Sequence, residues 1–192
     1  MIELLDTGCS NLRAYENILS FLNLNYTVCS SGAMMHQEKL NTILLPGVSN
    51  FGTLSKSLDD RQFTASIRRR VTNGSPIIGT CSGMQILFES SEECPNSQGL
   101  GLVKGEVKKF PMVGKSDLNI GWKTTDNGEF FFVHGYYCKA HMSFNHATYI
   151  EFNGIKFLSE FKHKNITGFQ FHPEKSSEAG LNYLLKFLKA NE

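Results

Sequence analysis

A cysteine between two glycines is the first feature of the sequence that suggests chemistry. Residues 79–83 read Gly-Thr-Cys-Ser-Gly and follow Ile77 and Ile78, which predict a short buried strand. This pattern is typical of a nucleophile elbow, a tight turn in which side chains at the glycine positions would collide with neighbouring elements. A thiol at a helix start is favoured as thiolate, and the helix amides can support an oxyanion. Cys81 is therefore a candidate nucleophile, although a small buried cysteine that serves close packing fits the same pattern.

A histidine near the other end of the chain is the candidate base. Residues 168–174 read Gly-Phe-Gln-Phe-His-Pro-Glu, an apolar strand followed by a histidine and a carboxylate. Pro173 disfavours the α conformation at His172, and in an extended chain residues two apart project to the same side. Glu174 can then fix the tautomer of His172 and stabilise its imidazolium form. His134 is the rival candidate for the base.

The remaining thiols and histidines offer weaker chemistry. The other cysteines lack the two-glycine turn and are interpreted as structural thiols, namely Cys9, Cys29, Cys94 and Cys138. A metal cluster is conceivable from His134, Cys138, His141 and His146. There is no tight Cys-x-x-Cys pair and no second cluster at zinc spacing, so we expect neither a metal nor another cofactor.

Bulk composition bounds the class of protein. The 192 residues predict a single domain spanning residues 1–192, and a net charge of +1 with scattered basic residues argues against a nucleic-acid partner. The one basic run, residues 68–70, fits the solvated end of a helix. No leader or membrane-spanning run is recognisable, and five cysteines without framework spacing suggest free thiols, so we expect a cytoplasmic protein without membrane contact.

The elements that must position these residues follow two patterns. Up to residue 81, short apolar runs alternate with segments of helical periodicity, which predicts βαβ units on a parallel sheet. The predicted strands are 2–5, 26–29, 43–45 and 76–79, and the predicted helices are 11–22 and 63–71. From about residue 99 the runs shorten, with predicted strands at 102–107, 130–133, 147–152, 155–161 and 166–171 and a final helix through 181–188. The sequence predicts a three-layer α/β domain with an antiparallel β extension.

Several blocks together resemble the class I, or triad-type, glutamine amidotransferases. The resemblance runs through nearly the whole chain, in the blocks at residues 6–12, 45–48, 79–85, 88–93, 121–122, 132–134 and 170–174. The cysteine and His-Pro-Glu motifs are shared by the broad class. The Ser-Glu-Glu block at residues 91–93, Gly-Trp and Phe-Val-His are more similar to the glutaminase subunits of imidazole glycerol phosphate synthases.

The resemblance implies a flavodoxin-like fold, a reaction and a set of roles. The Cys81 thiolate would attack the side-chain amide of L-glutamine, with ammonia leaving and water cleaving the thioester to glutamate, and His172 and Glu174 would complete the triad. The implied oxyanion hole is formed by Gly47, Val48, Ser49 and Ser82. The implied glutamine contacts are Gln85, Glu93, His134, Gly135 and Tyr136.

The resemblance also implies a partner. In this family ammonia passes through a tunnel into a (β/α)₈-barrel synthase subunit, which forms a heterodimer with the glutaminase and makes imidazole glycerol phosphate in histidine biosynthesis. The implied interface positions in this chain are Asn11, Arg13 and Lys175.

The chain departs from the family pattern at a few positions. Ser49 stands where the family usually has glycine, Gly135 where Ser or Thr is common, and Phe131 where an aromatic hydroxyl is expected; residues 110–126 form a shortened segment. These departures leave open a paralogue that supplies ammonia for amidination of a bacterial surface sugar and a non-catalytic regulatory relative. The Cys-His pair alone also leaves open a small-molecule hydrolase.

Overall fold

The computed structural model describes residues 1–36, 40–114 and 116–189. Within those residues, none of the helices combines the length and the apolar character needed to cross a bilayer.

A seven-stranded sheet forms the centre of the molecule. Its strands, in spatial order, are β10 (His146–Phe152), β11 (Ile155–His163), β12 (Ile166–Phe169), β4 (Ile77–Cys81), β3 (Thr42–Gly47), β1 (Ile2–Leu5) and β2 (Tyr26–Cys29). The last five run parallel, whereas β11 pairs antiparallel with β12 and β10 antiparallel with β11. The mostly parallel sheet with antiparallel strands at one edge confirms the predicted fold class.

Helices cover both faces of this sheet. They are α1 (Leu12–Phe21), α2 (Phe51–Asp60), α3 (Phe63–Thr72), α4 (Ser82–Gln85) and α5 (Ser177–Lys189). Helices α1 and α5 contribute buried residues to one apolar cluster, and α2 and α3 contribute to the other. Consecutive residues of β3 divide between the two clusters, because successive side chains in a strand point to opposite faces. Buried parallel strands with apolar residues on both faces thus separate two helical layers.

Smaller strands lie outside the central sheet. One three-stranded sheet contains β5 (Ser90–Ser91), β6 (Gly105–Lys109) and β9 (Tyr136–Ala140), and a two-stranded sheet contains β7 (Asn119–Thr125) and β8 (Gly128–His134). The turn between β10 and β11 has positive φ at both Asn153 and Gly154, as its Asn-Gly sequence predicts.

Some predicted elements differ from the structure. The strand predicted at residues 102–107 begins only at Gly105, because Leu102 and Val103 both donate to the Leu87 carbonyl in a turn. Helix α2 was not predicted, since Gly and Ser dilute its apolar pattern, although Asn50 caps it by accepting from the Thr53 N–H at 2.8 Å. Strands β7 and β9 were also not predicted, because both are partly exposed.

The polar network at the amino edge of the sheet is built around a buried ion pair. Arg70 of α3 is paired with Glu3 of β1, and both side chains are at most 2% exposed, so the solvated position predicted for residues 68–70 is wrong for Arg70. Glu3 also accepts from the His36 N–H at 3.0 Å and the Asn41 amide at 2.9 Å. Arg70 donates to the Asn41 carbonyl at 3.0 Å and to Ser75 Oγ at 3.3 Å. These bonds compensate for the desolvation of the two charges.

We expect Arg70→Met to destabilise the fold by about 3 kcal/mol or more, because it leaves the Glu3 carboxylate buried without its counter-charge. Urea denaturation followed by circular dichroism measures the loss. Lys56→Ala, which breaks the exposed pair between Lys56 and Asp60, is the matched control and should change stability little. Equal losses in the two variants would contradict this account.

Candidate active site

The predicted nucleophile lies where β4 meets α4. The Cys81 backbone has φ 53° and ψ −116°, which is an uncommon conformation for a residue with a side chain. A Cβ at Gly79 would overlap the Gly83 carbonyl, and a Cβ at Gly83 would overlap the Leu45 carbonyl of β3. The steric reason predicted for the two glycines is therefore confirmed. Helix α4 has only four residues, so its free N–H groups contribute more to the site than a macrodipole does.

The predicted base and carboxylate form a buried pair after β12. The His172 backbone is extended, with φ −100° and ψ 96°, and its Nδ1 lies 2.7 Å from Glu174 Oε1. Both side chains are at most 2% exposed. The backbone of His172 is anchored to β8 by donation to the Phe131 carbonyl at 2.9 Å. With Nδ1 bonded to the carboxylate, the ring presents Nε2 to its other neighbour, the Cys81 thiol.

The charges of this pair follow from its surroundings. Burial disfavours the imidazolium form, but hydrogen bonds with Cys81 and Glu174 outweigh burial and raise the pKa of His172 to about 10. Burial likewise disfavours the Glu174 carboxylate, yet hydrogen bonds from His172 and Tyr15 hold its pKa below the usual value. The arrangement can hold a charged imidazolium between a carboxylate and a thiol, as a Cys-His-Glu triad requires.

His134, the rival base, has a different role. Burial lowers its pKa to about 4, so the ring is neutral near pH 7. Its Nδ1 donates to the Tyr136 carbonyl at 2.7 Å, so Nε2 is an acceptor for the Asn119 amide at 3.0 Å. With both nitrogens occupied, His134 fixes the turn through Gly135. A Cβ at Gly135 would lie 3.0 Å from the end of the Leu118 side chain, which is half exposed and can move, so this contact does not by itself require a glycine.

A cavity of about 180 Å³ lies beside Cys81. Most of the predicted substrate and oxyanion residues line it, and the full set is Val48, Ser49, Asn50, Cys81, Ser82, Gln85, Glu93, Val133, His134, Gly135 and Tyr136. Gly47 does not line the cavity, because its backbone packs directly against Ser82 and Gly83 of the elbow. The contact is so close that a Cβ at Gly47 would overlap Ser82 Oγ. The carboxyl ends of parallel strands β3 and β4 meet at this edge of the sheet, where ligands of open α/β sheets bind.

Two predicted glutamine contacts are themselves held by the protein. Gln85 donates from Nε2 to the Tyr136 carbonyl at 3.0 Å and to Gln170 Oε1 at 3.2 Å. Glu93 accepts from the Phe51 N–H at the start of α2, at 2.7 Å. Both side chains are therefore fixed in orientation at the cavity wall.

The predicted oxyanion donors differ in whether they are already hydrogen-bonded within the protein. Ser82 is the first residue of α4, so its N–H has no acceptor within the helix. The Val48 N–H instead donates to the Cys9 carbonyl at 2.9 Å, and Ser49 Oγ donates to the Asn50 carbonyl at 3.2 Å. In this conformation the Val48 N–H points away from the site.

The predicted partner positions are all on the surface. Asn11 and Arg13 flank the start of α1, and Lys175 ends the 3₁₀ turn Pro173–Lys175; all three are exposed. Helix α1 packs against that turn, so the three residues lie on neighbouring elements beside the triad.

Sequence reasoning missed three buried polar side chains of the site, those of Tyr15, Asn119 and Gln170. Tyr15 donates to Glu174 Oε2 at 2.8 Å, but in the sequence it reads as one more residue of an apolar helix face. The available signal was its hydroxyl, because a buried tyrosine O–H nearly always has a partner. Asn119 and Gln170 stand among apolar strand residues and gave a similar, weaker signal.

Comparison with known proteins gives consistent matches. A family model described as glutamine amidotransferase class-I matches residues 3–190. The imidazole glycerol phosphate synthase subunit HisH of Chlorobium luteolum is 35% identical over 200 residues, covering 97% of this chain and 98% of the relative. The HisH subunit of Lactococcus lactis is 35% identical over 202 residues, covering 98% of each. A solved glutamine amidotransferase superposes with a TM-score of 0.73 at 18% identity, covering 98% of each chain, which supports the fold.

The raised pKa of His172 predicts how the stability of the fold depends on pH. Between pH 6.5, the ordinary value, and about 10, the folded ring keeps a proton that the unfolded ring has lost. Stability from this group is therefore full below 6.5 and is lost as pH rises through about 10. We expect the wild type to lose stability relative to His172→Gln over this interval, measured by urea denaturation at several pH values. Parallel curves for the two proteins would refute the assigned charge state.

Proposed function

The chain belongs to the class-I glutamine amidotransferase family, and from that premise we propose that it is the glutaminase subunit of an imidazole glycerol phosphate synthase. The observation that carries the proposal is the buried His172–Glu174 pair beside Cys81, at a cavity lined by Gln85 and Glu93. The names of the full-length relatives support the histidine-pathway assignment.

The geometry supports covalent catalysis through a thioester. The Cys81 thiolate adds to the side-chain amide carbon of glutamine, and the imidazolium of His172 gives its proton to the departing nitrogen, which leaves as ammonia. Neutral His172 then takes a proton from water, the hydroxide oxygen attacks the thioester carbon, and glutamate leaves from the regenerated thiol. Glu174 keeps the ring in the correct tautomer through both steps.

The cavity suits the zwitterionic end of glutamine. Glu93 supplies a carboxylate for the substrate ammonium, and the backbone N–H groups of the 134–136 turn are the candidate donors to the substrate carboxylate. Gln85 has both Nε2 hydrogens bonded within the protein, so it offers only its Oε1, which suits the substrate ammonium. The fixed orientation of Gln85 and Glu93 limits the entropy lost when substrate binds.

The partner in this proposal is a (β/α)₈-barrel synthase subunit that binds the face formed by Asn11, Arg13 and Lys175. Ammonia released into water near neutral pH would mostly become unreactive ammonium, so it must pass directly to the acceptor site. The exposure of these three side chains next to the triad supports a contact there.

The oxyanion hole in this proposal requires a change of backbone. The Val48 N–H must leave the Cys9 carbonyl and turn toward Cys81, where it would join the Ser82 N–H as a donor. A side chain at Ser49 restricts the dihedral changes that accompany this turn, so glutaminase activity without the partner should be low.

The first test uses the purified chain with the barrel subunit. Wild type should release glutamate from glutamine, and Cys81→Ala should abolish glutamine-dependent synthesis while ammonium salts still support product formation by the complex. Cys9→Ala removes a different thiol and keeps the backbone carbonyl that accepts from the Val48 N–H, so it should leave both activities unchanged. Loss of both activities in Cys81→Ala would contradict the division of labour. Glutamate release without imidazole glycerol phosphate formation would indicate a different ammonia acceptor.

A second test concerns the oxyanion turn. Ser49→Gly should raise partner-free glutaminase kcat by about fivefold, because glycine removes roughly 1 kcal/mol of backbone restriction from the turned state. The KM for glutamine should change little, since Ser49 Oγ is bonded to the Asn50 carbonyl. Steady-state glutamate release measures both constants, and an unchanged or lower kcat would exclude Ser49 as the restriction.

A further inference from the structure

Tyr15 lies on the side of the triad that faces away from the cavity. It projects from α1 into the core and is 1% exposed, although its neighbours on the buried face of the helix are the apolar Ile18 and Leu19. The phenol oxygen is 2.8 Å from Glu174 Oε2 and 2.7 Å from Thr80 Oγ1. Tyr15 does not line the cavity, and both partners of its hydroxyl, Glu174 and Thr80, are protein side chains, so it reaches the reacting groups only through them.

The direction of each hydrogen bond can be assigned. Burial and the neighbouring Glu174 carboxylate raise the pKa of Tyr15 well above its usual value, so the phenol stays protonated. Its single proton is donated to Glu174, because an ionised carboxylate can only accept. The Thr80 hydroxyl must then be the donor to the phenol oxygen.

These bonds close a loop around the triad. Glu174 is held at both oxygens, by His172 Nδ1 at Oε1 and by Tyr15 at Oε2. Thr80, which holds Tyr15, immediately precedes Cys81 in β4. A chain of hydrogen bonds therefore runs from the triad carboxylate Glu174 through Tyr15 to Thr80, which lies next to Cys81 on the same strand.

We propose that Tyr15, held by Thr80, is a positioning residue that fixes the Glu174 carboxylate against His172 during glutamine hydrolysis. This inference rests on the proposed glutaminase function. A carboxylate bonded at one oxygen only can rotate about its last side-chain torsion, whereas one bonded at both oxygens keeps its alignment with the imidazole. Tyr15 transfers no proton in the reaction and acts through Glu174.

The phenol also helps to keep Glu174 charged. The groups that act on this carboxylate are His172 and Tyr15, and those that act on the phenol are Glu174, Thr80 and Cys81. A donor to the ionised form stabilises that form, so removing the phenol hydroxyl should raise the pKa of Glu174. Protonated Glu174 cannot stabilise the imidazolium, and activity should then be lost at a higher pH than in the wild type.

The test is Tyr15→Phe in the complex with the barrel subunit. We expect kcat for glutamine hydrolysis to fall about tenfold with KM nearly unchanged, because a charge-assisted bond to the orienting carboxylate is lost. The acid limb of the kcat/KM profile should move to higher pH. Ammonia-dependent synthesis by the complex should not change.

The matched control is Tyr183→Phe. The Tyr183 hydroxyl donates to the buried Glu160 carboxylate at 2.7 Å, so this variant removes the same kind of bond from another part of the fold. It should leave kcat and the pH profile as in the wild type. Equal changes in the two variants would indicate a structural effect and overturn the proposal.

A double-mutant cycle tests the part assigned to Thr80. Thr80→Val should lower kcat by about twofold to threefold, as expected for loss of a neutral hydrogen bond one step removed from the carboxylate. In the Tyr15→Phe background the same change should have no further effect on kcat. Additive effects would show that Thr80 does not act through Tyr15.

A measurement without glutamine separates this inference from the proposed function. The rate of Cys81 alkylation by iodoacetamide, resolved by peptide mass spectrometry, reports the thiolate and imidazolium pair directly. Its acid limb should also move to higher pH in Tyr15→Phe, even if the chain hydrolysed no glutamine. Superimposable profiles for wild type and Tyr15→Phe would overturn the inference. If Tyr15→Phe does not fold, Thr80→Val must show the shift, and its absence is equally decisive.

Discussion

The backbone turn at Cys81 is the constraint on which the rest of the site depends. A φ of 53° at a residue with a side chain costs of the order of 1–3 kcal/mol, so the surrounding packing must enforce it. Gly79 and Gly83 allow β4, α4 and β3 to approach closely enough to do so. Because β4 lies between β3 and β12, the same turn brings the thiol beside both the 47–49 loop and His172.

Two buried histidines near this turn have different charge states at neutral pH, one cationic and one neutral, for identifiable reasons. His172 has a carboxylate and a thiol as partners, and its pKa rises to about 10; His134 has only neutral partners, and its pKa falls to about 4. Burial acts in the same direction on both rings, so the partners decide the outcome. The contrast explains how one site contains both a charged imidazolium beside a thiol and a neutral ring that holds a turn.

The site could be predicted from the sequence where its geometry requires an uncommon combination of residues at fixed spacing. The elbow around Cys81 and the His-Pro-Glu segment were both recognisable, because each requires residues that few other environments need. Tyr15 was not, since its role depends on a contact 159 positions along the chain and its spacing fits an ordinary apolar helix face. The bond from the Val48 N–H to the Cys9 carbonyl was equally hidden, because it joins two loops 39 positions apart and no residue type at either end requires it.

The polar groups of the site are of two kinds: those hydrogen-bonded within the protein and those without a protein partner. Gln85 Nε2, Glu93 Oε2 and the Tyr136 carbonyl are all bonded within the protein and define the cavity wall. In the described part of the chain, the Ser82 hydroxyl and the Gln170 amide nitrogen are buried without a partner. Other groups without a protein partner among the described residues, such as Glu160 Oε2 and His163 Nδ1, are not part of the cavity wall, so the lack of a protein partner does not by itself identify a ligand site. The Val48 N–H is bonded to the Cys9 carbonyl, whereas the Ser82 N–H has no acceptor within helix α4, so of these two peptide groups only Ser82 is available at the elbow in this conformation.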